Sequence, residues 1–394
     1  MIKKIFAVLA ALVMTAAVFG CAGEGTKESS KQSDIVEPGT KEVRLTDMIG
    51  REVVIKPGTY RRVVCIGAGA LRMYSYVGDV SLLAGVEDID NLSLEERPKM
   101  FDAVARPYVL AYGDVFKTLP SCGVGGPNAQ AAEAEKILSC NPDIVISEYE
   151  DKEKEDALEK ALGVPVVTLK SGPNGVFDDS FRDSMTLLGV IFERQERARD
   201  INVYIAKSVE ALQARIDDTD VLSSPTIYIS GLGNWGTTNH LMTAENYKPF
   251  EIAKVKNAAD GLGTKGIHPI EKEKFVELGE RMGVMIFDAA AVKNIKPLYQ
   301  EDPTMFDTCK AWKDGEVYLE MAYNAYYTNY EIALINTWYI ASIAYPEKFK
   351  DVSMIKLTNE VTMTFLQKEL ADEIFSSPMS YGGYQKIDTD KFFN

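Results

Sequence analysis

The chain has 394 residues, with 58 acidic against 43 basic side chains and a formal net charge of −15. So acidic a balance disfavours nucleic acid, whose phosphates need clustered Lys and Arg. Five cysteines without a CxxC, and two histidines without a ligand spacing, argue against a zinc site; no resident metal and no cofactor is expected.

The first 20 residues place two lysines before an apolar run from Ile5 to Phe19. The run is shorter than the roughly 20 residues a spanning helix needs and has the layout of a secretory signal. The stretch "VFGC" resembles a bacterial lipobox, so Cys21 is the expected lipidation site and the first residue of the mature chain. Residues 21–41 follow as a tether, because Gly, Ser, Lys and Glu with few large apolar side chains cannot bury enough surface to order themselves. These features predict an extracytoplasmic protein anchored to the cell membrane by lipid. An ordinary signal peptide or a single anchor helix is the alternative.

The remaining chain is long enough for two compact units. "EVRLTDMIGREVVI" reads as two short strands around a turn at Ile49–Gly50. Apolar strands at "RRVVCIG", 82–87, 143–147 and 164–169 then alternate with helices, which predicts a largely parallel sheet covered on both faces over residues 42–192. Cys122 and Cys140 in this unit are either a disulfide or buried free thiols. From Glu193, Ile201, Ile205, Val209, Leu212 and Ile216 recur at spacings of three and four, so one long helix is predicted over 193–217. The alternation resumes over 218–394 with strands at 225–230, 284–288 and 316–320. The fold class is therefore α/β: two Rossmann-like lobes joined by a single long α-helix, with a ligand cleft between them.

Sites in open α/β sheets lie outside the carboxyl ends of the strands. Those ends are Gly67 to Arg72, Glu148 with Tyr149, and Gly231 to His240. Arg72 offers a planar fork for an anionic chelate, against the alternative of a salt bridge. Trp235 and His240 stand in the glycine-rich "SGLGNWGTTNHLMTAENYKPF", whose spacing is not that of a phosphate loop. In "AYNAYYTNYEIALINTW" (322–338), Thr328 and Glu331 have the spacing of a capping box, so a helix is predicted from about Asn329 with Trp338 and Tyr339 in the core. Tyr323, Tyr326 and Tyr327 then lie in the preceding loop, at the cleft. A tyrosine ring stacks on flat or apolar ligand surface while its hydroxyl serves a polar edge.

In order and spacing, "TDMIGREVVI", "RRVVCIG", "SCGVGGPNAQAAEAEKILSCNPDIVIS" and "ALGVPVVTL" resemble the periplasmic (class III) substrate-binding proteins of ABC importers for ferric siderophores, cobalamin or haem. The resemblance covers nearly all of residues 42–350. It implies a monomer that binds a metal chelate and hands it to an ABC permease without chemistry. A ferric siderophore is the first expectation; a corrinoid, haem, or a simple metal or oxyanion are the alternatives. It further implies one permease-docking acid per lobe. Glu273 in "IEKEKFVEL" matches on the second lobe, and Glu96 is chosen on the first over Glu95 and Asp114. The competing class is an extracytoplasmic carboxylate-dependent enzyme on a chelatase-like two-lobed scaffold; the lack of G-x-S-x-G and H-E-x-x-H motifs stands against it.

Overall fold

A computed structural model describes residues 41–126, 132–233 and 239–393. The signal, Cys21, the tether up to residue 40 and Trp235 lie outside the described residues. The fold opens on an antiparallel hairpin, β1 (Val43–Thr46) and β2 (Glu52–Ile55). Asp47 builds its turn by accepting from the backbone N–H groups of Ile49 and Arg51. Gly50 takes a φ of 78° there, a conformation that side chains resist. Arg51, 2% exposed, ties the hairpin to the first lobe through Asp156, Glu159 and the Val166 carbonyl.

The first lobe runs β3 (Val63–Ile66), α1 (Ala70–Val77), β4 (Leu83–Glu87), α2 (Pro107–Phe116), β5 (Ser121–Gly123), α3 (Ala134–Ser139), β6 (Ile144–Ser147), α4 (Lys152–Leu162) and β7 (Val166–Thr168). Its sheet has the order β5-β4-β3-β6-β7 and is parallel throughout. Strands β3, β4, β6 and β7 are buried at every position, which is why they read as unbroken apolar runs instead of alternating ones.

Helix α5 (Asp179–Ile191) leads into α6 (Gln195–Arg215). Glu193 at a φ of 53° breaks the helical path between them, so α6 starts two residues later than the apolar spacing predicts. Its buried stripe is Ala198, Ile201, Ile205, Ser208 and Leu212, and it packs chiefly on α5.

The second lobe comprises β8 (Thr226–Ser230), β9 (Met242–Ala244), α7 (Lys248–Ile252), β10 (Lys256–Asn257), β11 (Ile267–Pro269), α8 (Lys272–Gly279), β12 (Val284–Asp288), α9 (Ala289–Glu301), α10 (Lys310–Lys313), β13 (Val317–Glu320) and α11 (Tyr330–Ala344). The chain ends with α12 (Met354–Leu366), α13 (Ala371–Ser376) and β14 (Gln385–Lys386). The second sheet has the order β10-β8-β12-β13-β14, with only β14 antiparallel. Trp338 and Tyr339 are core residues, 8% and 7% exposed.

Two expectations change, and one open alternative is settled by the structure. The predicted second-lobe span 218–394 does not stay with its sheet: α12 and α13 cross back onto α2, where Leu366 O accepts from Tyr112 Oη and Ala103 O from Ser377 Oγ. The chain then returns as β14 on the second sheet. Thr328 does not cap α11; Asn329 is the N-cap, Thr328 O is held by Arg72, and Glu331 is buried as an acceptor for Tyr76 Oη. Cys122 and Cys140 are free buried thiols, as are Cys65 and Cys309.

Candidate functional site

In the first sheet the chain passes outward from β3 to β4 and β5, then crosses to β6 and β7 on the other side. In the second, β8 is likewise flanked by β10 on one side and β12 on the other. Diverging connections at such a reversal leave a crevice beyond the strand ends. A cavity of about 540 Å³ lies at both reversals. Ala68 follows β3 and Glu148 to Glu150 follow β6 on one wall; Gly233 follows β8 and Ala290 follows β12 on the other. Tyr323, Asn324, Tyr326, Tyr327 and Thr328, in the loop after β13, also line it. A second groove of about 390 Å³ between α5 and α6 has no such convergence of strand ends.

The tyrosine loop is held from the opposite lobe. Arg72 of α1 is 1% exposed, and its guanidinium donates to the carbonyls of Ala325 (2.6 Å), Tyr326 (3.3 Å) and Thr328, and to Asn329 Oδ1 (2.7 Å). Asn329 Nδ2 donates in turn to the carbonyls of Ala105 and Ala322. This grip holds Tyr326 and Tyr327 at φ values of 53° and 71°, a left-handed geometry that costs L-residues about 1–2 kcal/mol each. Tyr326 Oη donates to Glu87 Oε2 at 2.7 Å and accepts from Gly126 N at 3.0 Å. The pair links the lobes directly across the back of the cavity.

Of the tyrosines on the cavity wall, Tyr327 is 42% exposed whereas Tyr323 and Tyr326 are 6% and 3% exposed. Tyr323 packs edge-on against Tyr247 at 5.1 Å, and Tyr247 Oη donates to Glu320 Oε1. Beneath them Asp288 accepts from the N–H groups of Ala290 and Tyr323, and in the β12–β13 register it stands beside Glu320. Burial pushes Asp288 up to about 7 and Glu320 well above the carboxylate range. Burial likewise lifts Glu87 to about 7, against the hydrogen bonds from Tyr326 and Gly67. It also raises Glu148 strongly, against the nearby Ser171 hydroxyl. Glu148 Oε2 has no hydrogen bond of ordinary geometry among the described residues, and it lies against Gly69, where a Cβ would meet it at 2.1 Å.

Of the residues expected at the strand ends, Tyr149, Tyr323, Tyr326 and Tyr327 come together on the cavity wall. Arg72 and His240 do not. Arg72 stands in the first turn of α1, but its guanidinium faces inward, with both terminal nitrogens bound to the loop carbonyls and Asn329 Oδ1, so it is neither an anion fork nor a surface salt bridge. His240 packs edge-on between Phe275 and Phe306, 8% exposed, and burial lowers its pKa to about 4, with Lys272 adding to the effect. It is a neutral core imidazole. Glu273, in the first turn of α8, and Glu96 lie away from the cavity wall. Sequence reasoning missed Phe101, Asn246, Tyr247, Lys293 and Asn324 on the wall. Asn246 and Tyr247 lie in the same stretch as Trp235 and His240, so its aromatic and amide content was the available signal.

A family model described as periplasmic binding protein matches residues 65–296. No curated protein matches the chain. A periplasmic solute binding protein from Veillonella parvula superposes with a TM-score of 0.65 at 17% identity, covering 86% of this chain and 96% of its own. The molybdate-bound periplasmic binding protein MolA of Haemophilus influenzae gives 0.63 at 18%, covering 83% and 98%. The catecholate-siderophore binding protein VctP of Vibrio cholerae gives 0.50 at 14%, covering 79% and 100%. At these identities the likeness is one of fold.

Proposed function

The chain belongs to the periplasmic binding protein family, and from that premise we propose that it is the lipid-anchored, extracytoplasmic binding component of an ABC importer. It captures a metal chelate, a ferric siderophore foremost, between its lobes and delivers it to the permease. The observation that carries this reading is the cavity of about 540 Å³ at both chain reversals, with tyrosines from both lobes on its wall. Pockets of about 300–1,000 Å³ suit ligands of organic-chelate size. A bare tetrahedral oxyanion such as the molybdate of the Haemophilus protein would leave most of that space empty.

The protein's work is binding and presentation. The tyrosine rings supply stacking area with few rotatable bonds, and the grip of Arg72 on their loop orders them before the ligand arrives, which spares entropy on association. Diacylglyceryl on Cys21 holds the mature chain at the membrane face. Glu273 and Glu96, on different lobes, meet basic groups of the permease; such rim charges chiefly steer encounter and fix register.

The test is a fluorescence titration of the mature protein with iron(III) siderophores, cobalamin and haem. Saturable one-to-one quenching, with the ligand recovered unchanged, supports the reading. Conversion of the ligand, or no saturable binding by any of the three classes, contradicts it.

A further inference from the structure

The charges around the cavity specify more than its size does. Two carboxyl groups, Glu148 and Glu150, are on the wall. Three more stand directly behind it: Glu87 bound by Tyr326, Glu320 bound by Tyr247, and Asp288 bound by the N–H of Tyr323. Of these, Glu87, Asp288 and Glu320 are 5%, 0% and 0% exposed. The cations on the wall are Lys248 and Lys293. Lys248 is paired with Glu251 at 2.7 Å, and Glu150 is paired with Lys170 at 2.5 Å, so each of these pairs is neutral overall. Arg72, the guanidinium of α1, is committed to four acceptors in the tyrosine loop.

We propose that the cavity selects a metal chelate that is uncharged or cationic and excludes polyanionic ones; the inference rests on the chelate-binding reading above. An anion withdrawn from water must be compensated by paired charge or aligned donors. A tris-catecholate complex of iron(III) brings three negative charges, and here, apart from the neutral Lys248–Glu251 and Glu150–Lys170 pairs, it would meet one lysine without a described carboxylate partner and four carboxyl groups. A neutral trihydroxamate complex asks only for aromatic surface and amides, which Tyr149, Tyr327, Asn246 and Asn324 supply. A cationic complex gains further, because the buried carboxyls have a reason to release their protons beside it. Oε2 of Glu148, buried against Gly69 without an ordinary hydrogen bond among the described residues, belongs to a further carboxyl whose ionisation a cationic ligand would favour.

The experiment is a titration of the mature protein with four iron(III) or cobalt probes of different charge: a neutral trihydroxamate, a cationic trihydroxamate, a tris-catecholate, and cobalamin. The neutral or cationic probes should bind at least about tenfold more tightly than the tris-catecholate at low salt, with affinity almost independent of ionic strength. Lys293→Met should tighten binding of the cationic trihydroxamate, because it removes a like charge from the cavity wall. Tightest binding by the tris-catecholate, falling steeply with salt or lost in Lys293→Met, overturns the charge selection while leaving chelate capture standing. No saturable binding by any probe overturns both.

Discussion

Tyr326 Oη of the second lobe donates to Glu87 Oε2 of the first at 2.7 Å, and the same hydroxyl oxygen accepts from Gly126 N. With the Arg72 guanidinium behind it, this bond ties the lobes together independently of α6. The tyrosine loop is therefore both cavity wall and interlobe strap. Tyr326→Phe removes the bond and leaves a buried carboxyl short of one donor, a loss of about 1–3 kcal/mol. Urea unfolding of the variant should show that loss, while a fall in ligand affinity should accompany it because the wall moves with the strap.

Arg72 holds the loop from behind the cavity wall. Arg72→Met strands the carbonyls of Ala325, Tyr326 and Thr328 in a buried setting, and a cost of about 3 kcal/mol or more is expected. Arg72→Lys should recover only part of it, since a point charge cannot reach four acceptors as the planar fork does. A loss of affinity in Arg72→Lys with unchanged stability would show instead that the side chain contacts ligand.

Tyr327 is the complementary case. Its ring is 42% exposed, so Tyr327→Ala should change stability by less than about 0.5 kcal/mol. Its loss of stacking area should weaken chelate binding about tenfold. Thermal melting and a binding titration on the same sample separate the two effects.

Stability should fall as pH rises toward neutrality. Burial lifts Glu87 from 4.5 and Asp288 from 3.8, each to about 7, so the folded chain holds these protons more tightly than the unfolded one. Their contribution is complete below about pH 4 and is lost as pH climbs through about 7. Between about pH 5 and about pH 8 each group should remove roughly 2–3 kcal/mol. Urea midpoints across that range check the sign, and Glu87→Gln and Asp288→Asn should each flatten the slope.

Gly69 bears on the wall near Glu148. It adopts a φ of 105°, and an added Cβ would stand 2.1 Å from Glu148 Oε2. Gly69→Ala should both strain the start of α1 and displace the Glu148 carboxyl, with a cost above about 1 kcal/mol and altered chelate affinity. Unchanged melting and binding would remove Glu148 from the account.

Much of the architecture is legible in the sequence, because fully buried parallel strands such as Ile144–Ser147 and Val284–Asp288 appear as short apolar runs, and because α6 carries its stripe at helical spacing. Short pieces such as β9, β11 and β14 are set by their partners and leave no periodicity to read. Helices α12 and α13 are amphipathic, but nothing in that pattern says which lobe they cover. Strand-end placement located Tyr149 and the tyrosine loop. It misjudged Arg72 and His240 because proximity along the chain does not say which way a side chain faces. Glu87 reads in the sequence only as part of a strand; its role depends on Tyr326, 239 positions away, and no local signal carries that distance.

The most direct measurement is native mass spectrometry of the protein isolated from its own cells and after loading with chelates. The account predicts one noncovalent adduct per chain, an organic complex bearing the isotope signature of iron or cobalt, depleted in Tyr327→Ala. A protein that carries a bare oxyanion, or that accepts no metal chelate when loaded, would contradict it.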